Sequence, residues 1–163
     1  MKEEFYAGID LSFTETGIVL LDQNSKIVEE MIIGSDKKDS YEKRIYNIYD
    51  RCRWVSDVSH LKMINIEGLS YGSIGKIAEL GALHYFFRVK FFENKSPYII
   101  TTPTELKKFI TGKGNSKKEI MIKEIYKKWG ADFNNNNLAD AYALAKFIVD
   151  KKETKNEQNK QNK

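Results

Sequence analysis

The chain has one cysteine in 163 residues, Cys52. That excludes an intrachain disulfide and a cysteine-built zinc cage. Cys52 shares helical spacing with Ile45, Ile48, Tyr49 and Val55, so it reads as a packing residue rather than a reactive thiol. Histidine is almost as scarce. His60 and His84 are too isolated to suggest a zinc pair, and His84, on an aromatic stretch, reads as a core or interface residue. Only two prolines occur. Pro97 introduces a strand and Pro103 sits inside the first turn of a helix. No uninterrupted apolar run reaches the ~18 residues that a membrane-spanning helix needs. The most apolar stretch, 83–92, is broken by His84, Arg88 and Lys90. The opening Met1-Lys2-Glu3-Glu4 lacks the basic-then-apolar layout of a secretion signal. These absences lead to the expectation of a soluble, intracellular protein with no membrane partner.

What is present fits one globular domain. Hydrophobic residues make up 41% and charged residues 31%, with a net charge of +4 that favours a polyanionic partner. Residues 5–10, 17–22 and 27–33 read as strands, the last two joined by a turn at Asp22-Gln23-Asn24-Ser25. Short links suggest an antiparallel meander. A helix over 40–56, a strand at 62–67, a helix at 73–92 and a strand at 98–100 follow. Thr102-Pro103-Thr104-Glu105 starts a helix, Ser116 opens another to 129, and the last runs from Asn137 to Asp150. The fold class is α/β, a mixed sheet whose first three strands are antiparallel, with helices packed on it. The domain is expected over 1–150. Residues 151–163 contain no apolar residue and are expected as a disordered basic tail.

Three carboxylates sit in unusual contexts. Asp10 ends the apolar strand Tyr6-Ala7-Gly8-Ile9-Asp10, and Glu67 ends Met63-Ile64-Asn65-Ile66-Glu67. Asp140 lies in the small-residue helix Leu138-Ala139-Asp140-Ala141-Tyr142-Ala143. A carboxylate buried at a strand end is costly unless neutralised, and a divalent cation held through oxygen neutralises several at once. Each also has a bland reading: an Asx turn for Asp10, a solvent-facing strand end for Glu67, an exposed acid near a helix start for Asp140. If the three converge, two Mg²⁺ ions held between them would activate water and clamp a scissile phosphate. Asn137, three residues before Asp140, is either a fourth ligand or an N-cap.

From Glu105 to Lys128 eight lysines face three glutamates, a local excess of +5. Lys107, Lys108, Lys113, Lys117 and Lys118 surround a flexible loop, Thr111-Gly112-Lys113-Gly114-Asn115-Ser116, that enters a helix. This is either an anion site suited to a phosphate backbone or a solvated lysine face. It lacks the spacing of a nucleotide-triphosphate loop. Tyr71 is placed either to stack on a base or to pack. Tyr85, Phe86, Phe87, Phe91 and Phe92 give one helix more aromatic surface than one sheet face needs, which suggests a subunit interface.

At these residues the chain resembles the RuvC Holliday-junction resolvases of the ribonuclease-H-like superfamily. Gly8-Ile9-Asp10 with Thr16-Gly17, Ile66-Glu67, Leu80-Gly81, Thr104 to Lys118, and Asp140-Ala141-Tyr142-Ala143-Leu144-Ala145 carry the likeness, in order, over most of 5–150. The resemblance implies a ribonuclease-H-like five-stranded mixed sheet with helices on both faces. It implies a homodimer that binds four-way or branched DNA and makes symmetric nicks by Mg²⁺-dependent hydrolysis, with Mn²⁺ as a possible substitute. Asp10, Glu67 and Asp140 would be the catalytic ligands, with Asn137 a fourth. By position Lys107 and Lys118 match family lysines near the cleaved strand, Lys118 stabilising developing phosphate charge. The chain departs from the family pattern at Leu11-Ser12, where Pro-Gly is usual, at Asn137, where an acid is usual, and at Ser70, where an aromatic is usual and Tyr71 is the nearest substitute. Its compactness resembles phage-encoded members, which implies a bacterial or phage-infected cytoplasm. No feature identifies a helicase partner. Rival readings are a junction-binding protein with weak or no nuclease activity and a nuclease that processes structured RNA.

Overall fold

The computed structural model describes residues 3–69 and 77–161, with side-chain surroundings described as far as Lys152. Three strands open the chain: β1 (Phe5–Asp10), β2 (Glu15–Asp22) and β3 (Ile27–Gly34), paired as an antiparallel meander. The β1–β2 turn is closed by Thr16, whose hydroxyl accepts from the Ser12 N–H at 3.1 Å and donates to the Ser12 carbonyl at 2.7 Å. The β2–β3 turn is an Asx turn, in which the Asp22 carboxylate accepts the N–H groups of Asn24 and Lys26.

Helix α1 (Tyr41–Cys52) is capped by Ser40, and a 3₁₀ turn at Arg53–Asp57 follows where the sequence pattern implied one continuous helix. Strand β4 (Leu61–Glu67) pairs parallel to β1. Helix α2 (Ile77–Glu93) leads to β5 (Tyr98–Thr101), parallel to β4. The sheet order is β3-β2-β1-β4-β5, the expected five-stranded mixed sheet. Helices α3 (Pro103–Thr111), α4 (Lys118–Trp129) and α5 (Asn136–Gln161) complete the chain.

Strand alternation divides β2 between two cores, Ile18 and Leu20 on one face and Val19 and Leu21 on the other. Ala7 and Ile9 join Ile45, Ile48, Cys52, Leu83 and Phe87 beneath α1 and α2. On the other face Val19 and Leu21 of β2 meet Leu106, Ile110, Met121, Ile125 and the alanines of α5. Each fully buried Leu, Ile or Phe contributes roughly 1.5–3 kcal/mol. Cys52 and His84 are core residues, as expected. Burial pushes the Cys52 thiol up to about 12 and, with Arg88 nearby, the His84 imidazole down to about 4.

Helix α5 lies directly on bare strand backbone. A Cβ on Gly8 would stand 1.9 Å from the Ala141 carbonyl oxygen, and one on Gly17 would stand 2.3 Å from that of Asn137. The small side chains of the helix and these two glycines are one packing feature.

Three boundaries differ from the sequence pattern. Helix α4 is capped at Lys117, because the Ser116 hydroxyl is held by Thr111 Oγ1 at 2.6 Å and donates to the Lys113 carbonyl. The loop read as flexible is therefore pinned by its own hydroxyls. Asn135, not Asn137, caps α5, its Oδ1 accepting from the N–H groups of Asn137 and Leu138. Finally α5 runs to Gln161, so residues 151–161, expected as a disordered tail, continue the helix. No glycine or proline interrupts the run, and Lys, Glu and Gln are good helix formers. Lys152 also ties the helix to Glu4 and the Tyr6 hydroxyl. Among the described residues no helix is long and apolar enough to cross a membrane.

Candidate active site

The register places the first two carboxylates together. Ile9 of β1 lies beside Ile66 of β4, so Asp10 and Glu67 end adjacent parallel strands at the same edge of the sheet. Just beyond, the Gly68 N–H donates to the Thr101 carbonyl at 2.8 Å and closes the end of β4. Helix α5, seated on Gly8 and Gly17, brings Asp140 to the same edge. Asp10 is 9% exposed and Asp140 6%.

Burial and mutual repulsion shift their titration upward. Burial first, then repulsion from Asp140, raises Asp10 to about 7, partly offset by Lys118. Burial, then Asp10 and Asp140, raises Glu67 to about 8, against the pull of Lys118 and Lys107. Burial also raises Asp140, although Lys118 donates to it at 2.9 Å. Burial alone would lower the Lys118 ammonium, but Asp140, Asp10 and Glu67 outweigh it and lift Lys118 above the ordinary lysine value. Three acids and one lysine thus share a single field, and the burial of Asp10 and Asp140 departs from the exposed readings of these acids.

A buried polar bridge fixes the helix against the strands. Asn65, fully buried, donates from Nδ2 to the Leu144 carbonyl of α5 at 2.9 Å, and its Oδ1 accepts from Thr101 Oγ1 at 2.9 Å. It links β4, β5 and α5 two residues before Glu67. The sequence signal for Asn65 is an amide inside an Ile-Asn-Ile run.

The remaining expected residues divide clearly. Lys107 on α3 acts on Glu67 and Asp140. Lys108, Lys113 and Lys117 are exposed around the α3–α4 loop and none is bonded to the carboxylates. Asn137 is half-buried, and its Nδ2 donates to Glu15 Oε2 at 3.2 Å. Its expected role as N-cap is corrected, since Asn135 caps the helix. Glu15 was not singled out in the sequence. Tyr71 lies outside the described residues.

The donor set is all oxygen, which suits a hard divalent cation such as Mg²⁺. Among the described residues, no three His, Cys, Asp or Glu side chains are yet grouped tightly enough to hold one ion. As they stand, the Lys118 ammonium is the cation on Asp140. Buried, mutually repelling oxygens fit a metal chemically, and ligation would have to draw the three together.

The family model for crossover junction endodeoxyribonuclease RuvC matches residues 6–147. The chain belongs to the RuvC family. No curated protein matches it significantly. Among solved structures, Thermus thermophilus RuvC in complex with Holliday junction substrate is similar at 20% identity and a TM-score of 0.73, covering 87% of this chain and 90% of that one. Another Thermus thermophilus RuvC structure is 18% identical with a TM-score of 0.70, covering 86% of this chain and 90% of that one. Fowlpox virus resolvase, bound to Holliday junction DNA, is 13% identical with a TM-score of 0.56, covering 89% and 98%. At these identities the structural likeness establishes the ribonuclease-H-like fold. Family membership rests on the match along the sequence.

Proposed function

We propose that this protein is a divalent-metal-dependent endodeoxyribonuclease that acts as a homodimer on four-way and other branched DNA. The observation that carries this reading is the placement of Asp10 and Glu67 at the ends of adjacent strands, with α5 seated beside them carrying Asp140, and Lys118 2.9 Å from Asp140. Membership of a junction-nuclease family supports the substrate class.

Asp10, Glu67 and Asp140, with the Asn137 amide oxygen, would hold the metal. Asp10 sits on the central strand and would be the candidate to serve both ions. Bound Mg²⁺, or Mn²⁺ in its place, would supply an activated water and charge stabilisation at the scissile phosphate. Lys118 stays an ammonium because the carboxylates favour its charged form, so it can neutralise charge developing on a phosphate oxygen. Lys107 adds positive potential at the same edge. Lys108, Lys113 and Lys117 project into solvent, where a phosphate backbone would run, and give binding that weakens with salt. Such an enzyme would work in the cytoplasm of a bacterium or a phage-infected cell.

An immobile four-way junction, a linear duplex and a structured RNA, each with and without Mg²⁺, test the reading. Wild type is expected to nick the junction in preference to the others and only with metal. Asp10→Asn is expected to abolish nicking, a loss of at least ~10³-fold, while junction binding persists. Cleavage retained by Asp10→Asn would remove Asp10 from the chemistry. Binding without nicking in both Mg²⁺ and Mn²⁺ would make the protein a junction-binding factor.

A further inference from the structure

Glu15 makes contacts that the reading above does not use. It is the first residue of β2, two before Gly17, and Gly17 pairs with Asp10 across the hairpin. The backbone of Asn137 lies directly over Gly17. From this position the exposed carboxylate of Glu15 accepts from Asn135 Nδ2 at 2.9 Å and from Asn137 Nδ2 at 3.2 Å. Asn135 Oδ1 in turn accepts the N–H groups of Asn137 at 2.8 Å and Leu138 at 3.2 Å. One carboxylate thus holds both the capping side chain of α5 and the uncharged member of the candidate ligand set.

The contact also settles which way the Asn137 amide faces. A carboxylate only accepts, so it must meet the NH₂ end of the amide. The Oδ1 end is then turned from Glu15, and it takes no hydrogen bond among the described residues. An amide oxygen is a weak, uncharged ligand, and its usefulness depends on its orientation. Partners of this kind, one shell out from a metal, orient ligands and tune them.

We propose that Glu15 is a positioning residue for Asn137: it grips Nδ2 and so presents Oδ1 to a divalent cation at the Asp10–Asp140 edge. This rests on the metal reading above. It has a consequence peculiar to this chain. An aspartate at position 137 would face the Glu15 carboxylate, so charge added there helps cation binding only when Glu15 is neutral.

Mn²⁺ binding by the full chain, followed by electron paramagnetic resonance titration without DNA, tests this, with Tm and metal-free junction binding measured alongside. Glu15→Ala should weaken Mn²⁺ binding about tenfold, and Glu15→Gln, which can still accept from Nδ2, should stay within about threefold of wild type. Asn137→Asp alone should gain little, while Glu15→Gln with Asn137→Asp should bind on the order of tenfold more tightly than Asn137→Asp. Metal-free junction binding should be nearly unchanged in the Glu15 variants, and Tm should fall only slightly in Glu15→Ala, through the lost hold on the Asn135 cap. Equal weakening by Glu15→Ala and Glu15→Gln would reduce Glu15 to a distant charge and overturn the proposal. So would a fall in Tm with unchanged Mn²⁺ affinity, which is a purely structural latch, or an Asn137→Asp gain equal to that of the double variant. Wild type that takes up no Mn²⁺ would overturn the metal reading and this proposal with it, whereas wild-type binding unaffected by Glu15→Ala would overturn this proposal alone.

Discussion

With Asp10 at about 7 and Glu67 at about 8, both carboxyls hold their protons more firmly in the folded chain than in the unfolded one, where such groups titrate near 4. Folded-state values above unfolded ones give a definite sign. Stability from these groups is complete below about pH 4 and is lost as pH rises through 7 and 8. His84 works the other way, because its folded value of about 4 lies below the ordinary 6.5; its contribution is lost as pH falls through that range. Above pH 6.5 His84 is neutral in both states and the acids decide. Metal-free Tm should therefore fall between pH 6.5 and 8.5, each retained proton costing at most about 1.4 kcal/mol per pH unit. Glu67→Gln should flatten the slope, and Mg²⁺ should raise Tm more at pH 8 than at pH 6.5. Scanning calorimetry across that range checks both, and a flat profile insensitive to Mg²⁺ would show the acids are not strained. At this scale Asp10 and Glu67 were legible as candidates because a carboxylate closing an apolar strand is conspicuous, and Asp140 because it interrupts a small-residue helix. Glu15 and Asn65 were not. Their roles depend on which amide or carbonyl the fold sets opposite them, and spacing along the chain does not carry that.

Among the elements, α5 decides the geometry of the site, since it carries Asp140 and Asn137 and meets β1 and β2 at Gly8 and Gly17 with no side chain between. The alanine run announced that close approach, but the matching glycines could be assigned to it only once the helix was seen lying on Gly8 and Gly17. Gly8→Ala should push α5 off β1 and destabilise the protein by about 1–3 kcal/mol or more, with a larger loss of nicking than of junction binding. Gly81→Ala is the matched control. The nearest atom to its added Cβ is Leu69 Cδ1 at 3.9 Å, and an alanine inside α2 should stabilise by roughly 0.5–1 kcal/mol. Urea unfolding of the two variants separates the cases, and equal effects would deny that α5 rests on bare backbone. The antiparallel opening of the sheet followed from strand periodicity and short links, and helices on both faces from the family resemblance, whereas the order β3-β2-β1-β4-β5 emerges only in the fold. Helix ends were less legible: Ser116 looked like a cap and is used inside its loop, while Asn135 caps α5 from within a run of asparagines that offers four identical candidates. The continuation of α5 past Asp150 was missed because a polar stretch was judged by its lack of core residues, whereas helix propensity and the Lys152 tether act without them.

For the whole molecule, the proposed function raises the question of how one carboxylate site per chain would cut two strands of a junction. Helix α2 suggests the answer. Its inner face buries Leu83, Phe87 and Phe91, while Tyr85, Val89 and Phe92 remain 59%, 50% and 80% exposed. Those three stand at i, i+4 and i+7, a single outer stripe. The aromatic excess read from the sequence is thus shared between core and surface, and the surface part is what an interface between two copies would bury. Val89→Lys with Phe92→Glu should yield a monomer by light scattering. Because both side chains point to solvent in the single chain, the variant should stay folded, its Tm lowered only by the lost subunit association. On a plasmid carrying an extruded cruciform, wild type should cut both strands across the junction and give linear product. The variant, acting through one site at a time, should give nicked circles, with junction affinity reduced because half the lysine surface is lost. A variant that remains dimeric would place the interface elsewhere, and a monomer that still linearises the plasmid at the wild-type rate would show that paired cutting does not need two joined sites.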